Sequence, residues 1–416
     1  MTGTISNHVL ALIAFIFLLL PFPLYGGVEG RLEALIEADN RYNKDLTYIE
    51  GWGDLLIKKR EQASTYGLTF SSTYREEEWH GEIYQFYGER ELKELSLLIK
   101  GGRFERSDQS GYYAIDGVYL KKGTGALSFS FYGGKLLRVE SDKQLSAGST
   151  GGMELTFRGD KAAKASPFFI NLFVEMGYQQ IYDEDKLSRL TWGLAKASAA
   201  EMKETGFWEF QTGGDFIMED GTIETMSTAF GIKLLEKSFV RIAYNIYEPG
   251  DKDFSLRDRF YRLYAKGKEE VISGELFYFP MKRLDLYVTG KEVNHHMGQK
   301  GYGTRAGAML RTKKGIDLNL EADYLYLDKE KAHTIFLSSK SSIDAKTKMK
   351  LTAIYQILDK RTTGENKGYG MDIAIDRMID SDLFFSLYGM NIINSDYDDE
   401  YRIGTRLSLT FSEDKL

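Results

Sequence analysis

Residues 112–135 read YYAIDGVYLKKGTGALSFSFYGGK. The run reads as one antiparallel hairpin. A strand through Val118 and Leu120 leads to a tight Lys-Lys-Gly-Thr-Gly turn, after which Leu127, Phe129 and Phe131 alternate with Ser128 and Ser130 up to Gly133-Gly134. Alternation with period two is the mark of a strand with one apolar and one polar face, and the glycines supply the positive φ that such connections require. The same unit recurs, with changed residues, to the end of the chain.

Working outward, alternation is weak at 66–74 and 82–87 and firmer at 95–104. It continues through Met153-Leu155-Phe157, Ile170-Leu172-Val174-Met176, Leu190-Trp192-Leu194, Trp208-Phe210, 222–235 and 239–247. The C-terminal half is clearest: Leu284-Leu286-Val288, Ile316-Leu318-Leu320, Met349-Leu351-Ala353-Tyr355, Tyr369-Met371-Ile373-Ile375 and Tyr401-Ile403-Thr405-Leu407-Leu409-Phe411. Charged residues fall on one parity of these segments, so one face meets an apolar medium and the other meets water. Segments of roughly 10 to 13 residues exceed the usual strand of a soluble sandwich and match a tilted strand crossing a bilayer. Aromatic residues gather at segment ends, as at Tyr278-Phe279, Tyr324-Leu325-Tyr326 and Phe384-Phe385, the pattern of interfacial girdles. The expected fold is therefore all-β: a single transmembrane antiparallel β-barrel of about 18 strands, in the range 16–20, spanning residues 65–416. A soluble β-sandwich or β-helix is the competing reading, and it has no place for so many ionisable groups on a second half-buried face.

Composition agrees. With 27 Tyr, 25 Phe, 42 Gly and only 5 Pro in 416 residues, and no linker-like shift after about residue 65, one uniform β structure explains the chain better than several domains. The absence of cysteine rules out disulfides, thiolate metal sites, covalent haem attachment and an N-terminal lipid on cysteine. A net charge of -7 argues against nucleic-acid binding. The negative mean hydropathy does not argue against a membrane barrel, because only alternate residues meet lipid.

The run VLALIAFIFLLL from Val9 to Leu20, closed by Pro21-Phe22-Pro23, reads as a secretory signal over residues 1–27, with a retained anchor as the alternative. Residues 28–64 read as a polar lead-in, a short helix, a plug or a flexible segment, with RLEALIEA looking helical. Connections in the last third alternate between short and long, as outer-membrane barrels require, with the final strand ending inside. Two successive short connections, at 266–269 and 280–283, break the phase.

The stretch from Gly102 to Lys135 resembles the early strands of porin-like outer-membrane proteins of Gram-negative bacteria. The matching residues are Gly102-Arg103, Asp116-Gly117-Val118 and Gly125 to Gly134. This resemblance implies a barrel of the bacterial outer membrane with a polar lumen, and it transfers no substrate. It departs at the last strand, where Phe411 is followed by Ser-Glu-Asp-Lys-Leu.

Parity assigns to the lumen the basic residues Arg158, Arg189, Arg283, Arg305, Arg311, Lys348, Lys350, Arg402 and Arg406. It assigns there the acidic residues Glu154, Glu175, Asp285, Asp317, Glu321, Asp323, Asp372 and Asp376. Charges of both signs on a wet tube bias which solutes pass; paired across the wall, they would only brace it. Arg305, Arg402 and Arg406 stand out as basic groups on Gly-Thr-Arg strands near one another. His295 and His296 are adjacent, so on an extended chain they point apart, and no cysteine or spaced carboxylate completes a metal site. No G-x-S-x-G or P-loop pattern nominates an enzyme. The function expected is a porin-like channel for passive diffusion of small polar or charged solutes, without cofactor and without catalysis. Its partners would be outer-membrane lipid and the solutes themselves; oligomeric state stays open, with a homotrimer common among porins. The alternatives are a barrel sheathing a partner such as an electron-transfer cytochrome, and a barrel enzyme acting on lipid.

Overall fold

A computed structural model of the chain describes residues 27–39, 46–59, 63–75, 78–108, 111–140, 143–162, 169–182, 186–198, 204, 206–247, 269–295, 299–312, 315–327, 330–359, 367–394 and 397–412. The signal reading over residues 1–27 lies outside them except for Gly27, which begins the first strand. The strands are β1 (Gly27–Asp39), β2 (Leu46–Lys59), β3 (Ser64–Arg75), β4 (Glu78–Leu92), β5 (Leu97–Asp108), β6 (Gly111–Thr124), β7 (Leu127–Glu140) and β8 (Lys143–Arg158). They continue with β9 (Leu172–Tyr182), β10 (Lys186–Ala197), β11 (Trp208–Ile217), β12 (Thr222–Leu235), β13 (Ser238–Tyr247), β14 (Glu269–Met281) and β15 (Leu284–His295). The last are β16 (Lys300–Arg311), β17 (Ile316–Leu327), β18 (Glu330–Ser342), β19 (Thr347–Asp359), β20 (Lys367–Met378), β21 (Leu383–Asn394) and β22 (Tyr397–Ser412).

Each strand pairs antiparallel with the next, and β1 pairs antiparallel with β22 from Glu29↔Ser412 to Asp39↔Arg402. The 22-stranded sheet is thereby a closed ring without a free edge. At ordinary strand spacing and barrel tilt its perimeter is about 140 Å.

The count of 22 corrects the expected 18. Residues 28–64 are not a lead-in: β1 and β2 are full members of the wall, so the barrel begins at Gly27. Arg, Leu, Glu and Ala in RLEALIEA are strong helix formers, and that propensity masked the alternation of Glu29, Arg31, Glu33 and Glu37 with Gly30, Leu32, Ala34 and Ile36. Pairing with β2 on one side and β22 on the other overrides the propensity. β18 is a second addition; its inward Ala332 and Phe336 are buried and apolar, which blurs the alternation. Of the two short connections that broke the phase, the one at 280–283 joins β14 to β15, and the one at 266–269 lies outside the described residues up to Glu269, where β14 begins.

The opening hairpin is present with a tighter turn than the sequence suggested. Lys121 to Thr124 belong to β6, and only Gly125 and Ala126 connect it to β7. Gly125 has φ 65° and Ala126 does not share the positive φ, the pattern of a type II′ hairpin turn. Strands of 10–16 residues and aromatic pairs near the rims match the expected membrane band. At the rim away from Gly27 and Ser412, Tyr302 and Tyr326 lie 5.1 Å apart, Tyr324 and His333 5.0 Å, and Tyr355 and Tyr369 5.2 Å. The terminus-side rim carries Tyr278, Phe384 and Phe385.

One corner is bent sharply. Gly102, Gly117 and Gly134 are successive register partners on β5, β6 and β7. Gly102 has φ 115°, and a Cβ on Gly117 would stand 2.0 Å from the Gly133 carbonyl oxygen, so only glycine fits this crease. Around the crease, Phe104, Ile115, Tyr132, Leu136 and Ile181 pack into a buried cluster on the inner face.

Candidate functional site: the lumen wall

Leu318 and Leu320, Ile335 and Leu337, Met371, Ile403 and Leu407 are exposed, while their neighbours of opposite parity, such as Glu321, Asp323, Thr334 and Gln356, are buried. In a closed ring the concave face is the crowded one, so the apolar set faces outward and the polar set faces the lumen. The inner face is not uniformly polar. Phe336, Ile354 and Ile392 form one buried apolar cluster there, and Leu325, Leu327, Ala332 and Leu358 another.

Two inner sites share one design. On β15–β17, Tyr287 lies opposite Gly307, which lies opposite Glu321. A Cβ on Gly307 would be 2.3 Å from the Tyr287 ring, so glycine leaves the groove through which Tyr287 reaches over β16 and donates its hydroxyl hydrogen to Glu321. Arg305 Nε completes the site, 2.9 Å from Asp323 Oδ2 and 3.4 Å from Glu321 Oε1. On β21, β22 and β1 the same order returns. Tyr388 lies opposite Gly404, which lies opposite Glu37. Tyr388 donates to Glu37, and Arg402 Nε is 3.3 Å from Glu37 Oε1. Glu37 and Glu321 are each 2% exposed. A buried carboxylate is tolerable only when its charge is paired and its lone pairs are met, and each site supplies one phenol and one guanidinium.

A third inner site is a variant. Tyr132 lies opposite Gly152, and Gly152 opposite Gln179. An amide stands where the others carry a carboxylate, with Thr150 and Ile181 in the places of the arginine and aspartate. Neither polar atom of the buried Gln179 side chain has a hydrogen-bond partner among the described residues. The cation comes from elsewhere: Arg106 on β5 sits 4.0 Å from the Tyr132 ring centre and pairs with Glu154 on β8 at 2.8 Å. A contact from β5 to β8 across two intervening strands is a consequence of the bent corner.

The charges assigned to the lumen by parity differ in their partners. Arg189 pairs with Glu224 at 2.6 Å and approaches the buried Asp215 at 3.8 Å; Arg311 pairs with Asp285 at 2.6 Å near the terminus-side rim. Arg305, Glu321 and Asp323 form the first inner site, and Arg402 belongs to the second. Asp372 lies in the electrostatic reach of Lys350 and Arg402. Arg158, Arg406 and Asp317 make no ion pair among the described residues. Arg305 does not neighbour Arg402 and Arg406, as the shared Gly-Thr-Arg pattern suggested: β16 and β22 are separated by β17 to β21. His295 is buried at the end of β15 beside its register partner Glu269, and His296 lies outside the described residues.

Sequence reasoning missed Glu37, Tyr287, Tyr388, Arg106 and Gln179. One signal was available: Glu37-Ala38-Asp39 repeats as Glu321-Ala322-Asp323, and Arg305-Ala306-Gly307 matches Arg402-Ile403-Gly404.

No protein-family model matches the chain. No curated protein matches it either. Among solved structures, the siderophore receptor PirA from Pseudomonas aeruginosa is similar with a TM-score of 0.55 at 10% identity, covering 92% of this chain and 80% of that one. Pseudomonas aeruginosa OccD3 (OpdP) is similar at a TM-score of 0.45 and 9% identity, over 93% of this chain and 91% of that one. The P pilus usher (PapC) translocation pore matches at 0.46 and 6% identity, over 92% and 99%. At such identity the likeness to PirA speaks for the fold, a large antiparallel barrel. A closed ring that satisfies every strand edge and turns its apolar side chains outward is the one β architecture that crosses a bilayer. The chain is a closed, 22-stranded antiparallel β-barrel whose apolar side chains face outward, a fold it has in common with PirA.

Proposed function

We propose that this barrel is a channel through which small polar or charged solutes diffuse down their own gradients. The observation that supports it is the state of the inner charges. Many pair with neighbours in the wall, whereas Arg406, Arg158 and Asp317, which face the lumen, make no ion pair among the described residues. Wall-braced pairs shape the bore, and the residual charges set the field a solute meets. The test is planar-bilayer recording: discrete conductance steps whose ion selectivity moves when Arg406 is changed would support the channel, and a silent bilayer would count against it.

A scaffold around a partner is the second reading, and the perimeter of the ring favours keeping it. Rings of 22 strands are commonly filled, yet among the described residues none forms a separate body inside this one. Co-purification of a stoichiometric haem protein together with absent conductance would move the reading from channel to sheath.

A further inference from the structure

The outward apolar band is not equally tall around the ring. On β17 the outward residues are Leu318, Leu320, Ala322, Tyr324 and Tyr326, with no charge among them. At barrel tilt the rise from 316 to 326 is about 25 Å, the full height of a bilayer's apolar band. On β5 the outward series is Ile99, Gly101 and then Arg103; on β6 it is Leu120, Val118 and then Asp116; on β7 it is Phe129, Phe131, Gly133 and then Lys135. The rise is about 15 Å from 97 to 103 on β5 and about 20 Å from 127 to 135 on β7.

These three charges form one row. Arg103 and Asp116 are register partners joined by two bonds, Nε–Oδ1 at 2.7 Å and Nη2–Oδ2 at 2.8 Å. Lys135 is the register partner of Asp116 on its other side, is exposed, and makes no ion pair among the described residues. Below the row, Gly101 and Gly133 carry no side chain on either side of the exposed Val118, and a Cβ on Gly101 would meet nothing within 4 Å.

We propose that β5–β7 is a lipid-headgroup contact: the headgroup layer on the far-rim side dips to this row, its phosphates lying against Lys135 and Arg103, so that the bilayer is thinned along this sector. An ionised row held in hydrocarbon is costly, whereas a bilayer yields to mismatch at little cost per ångström. The row carries two cations and one anion, which suits phosphate. A second copy of the chain apposed here would set one net-positive row against another.

The chain has no cysteine, so single spin labels can be placed without background. Gly133→Cys and Ala322→Cys put labels on outward positions at equivalent heights above the terminus-side rim, 127 to 133 on β7 and 316 to 322 on β17. The Cβ added at 133 meets only ordinary contacts, the nearest at 3.6 Å. In vesicles of phosphatidylethanolamine and phosphatidylglycerol, the ratio of nickel-chelate to oxygen accessibility should be several-fold higher at 133 than at 322. Adding Lys135→Leu, or Lys135→Leu with Arg103→Leu and Asp116→Leu, should lower the ratio at 133 toward that at 322. Equal ratios in the unmodified wall would overturn the proposal, because the row would then lie in hydrocarbon. A label at 133 shielded from both reagents would overturn it in favour of a protein neighbour.

Discussion

Tyr388 on β21 donates its hydroxyl hydrogen to Glu37 on β1, passing over Gly404 on the strand between them. The bond therefore spans the β1–β22 closure, the ladder that joins the two ends of the described barrel. Closing a ring between residues so distant in sequence carries a chain-entropy cost that only the closing contacts offset. Loss of one hydrogen bond to a charged group costs about 1.5–3 kcal/mol. Tyr388→Phe should lower the temperature at which the folded band is lost on electrophoresis in detergent. Tyr287→Phe should cost a similar amount, and an unchanged transition in both variants would remove the role assigned to these phenols.

The glycines beneath the two tyrosines are predicted to be less replaceable than strand glycines with open space around them, such as Gly290. Gly307→Ala places a Cβ 2.3 Å from the Tyr287 ring and Gly404→Ala one 2.5 Å from the Tyr388 hydroxyl oxygen, so the ring must lift and its bond is lost with it. A cost of roughly 1–3 kcal/mol is expected from such overpacking. Gly290→Ala, with nothing within 4 Å, is the control and should be near neutral. Equal tolerance at 290 and 307 would contradict the packing described.

Arg305 and Arg406, which look alike in sequence, should separate by experiment. Arg305→Ala removes the guanidinium that lies 2.9 Å from Asp323 and 3.4 Å from Glu321, both buried, and should cost about 3–5 kcal/mol. Arg406→Ala should change stability by no more than about 0.5 kcal/mol. Arg406→Glu should instead shift the zero-current potential of a reconstituted channel toward cation preference. A channel whose selectivity ignores residue 406 would show that the residual charge does not reach the permeating ion.

The variant site at Gln179 offers a reconstruction. Gln179→Glu alone should destabilise the barrel, by about 1–3 kcal/mol, since it buries a carboxylate where Thr150 replaces the arginine of the other two sites. Thr150→Arg combined with Gln179→Glu should recover part of that loss. Strict additivity of the two changes in thermal unfolding would mean that the three sites share a shape without sharing an electrostatic logic.

Which face each strand turns inward was legible in the sequence, because alternation is local: Ser128 and Ser130 against Phe129 and Phe131 need no knowledge of the partner strand. The number of strands was less legible, since helix-forming residues in β1 and inward apolar residues in β18 weaken the local pattern while ladders on both sides hold it extended. The sites were least legible. Glu37 and Tyr388 become neighbours only when the ring shuts, and the bond from Arg106 to Glu154 exists only because glycines let the wall bend between them.

By itself the order of residues determined a wall with one wet and one apolar side, because side-chain direction in a strand depends only on parity. Closure at 22 strands, the pairing that joins Arg305 to Asp323 but leaves Arg406 without an ion pair among the described residues, and the shortened apolar band on β5–β7 were decided by tertiary structure. Those properties depend on which strands lie side by side and how tightly the ring curves, and neither is encoded within the reach of one strand.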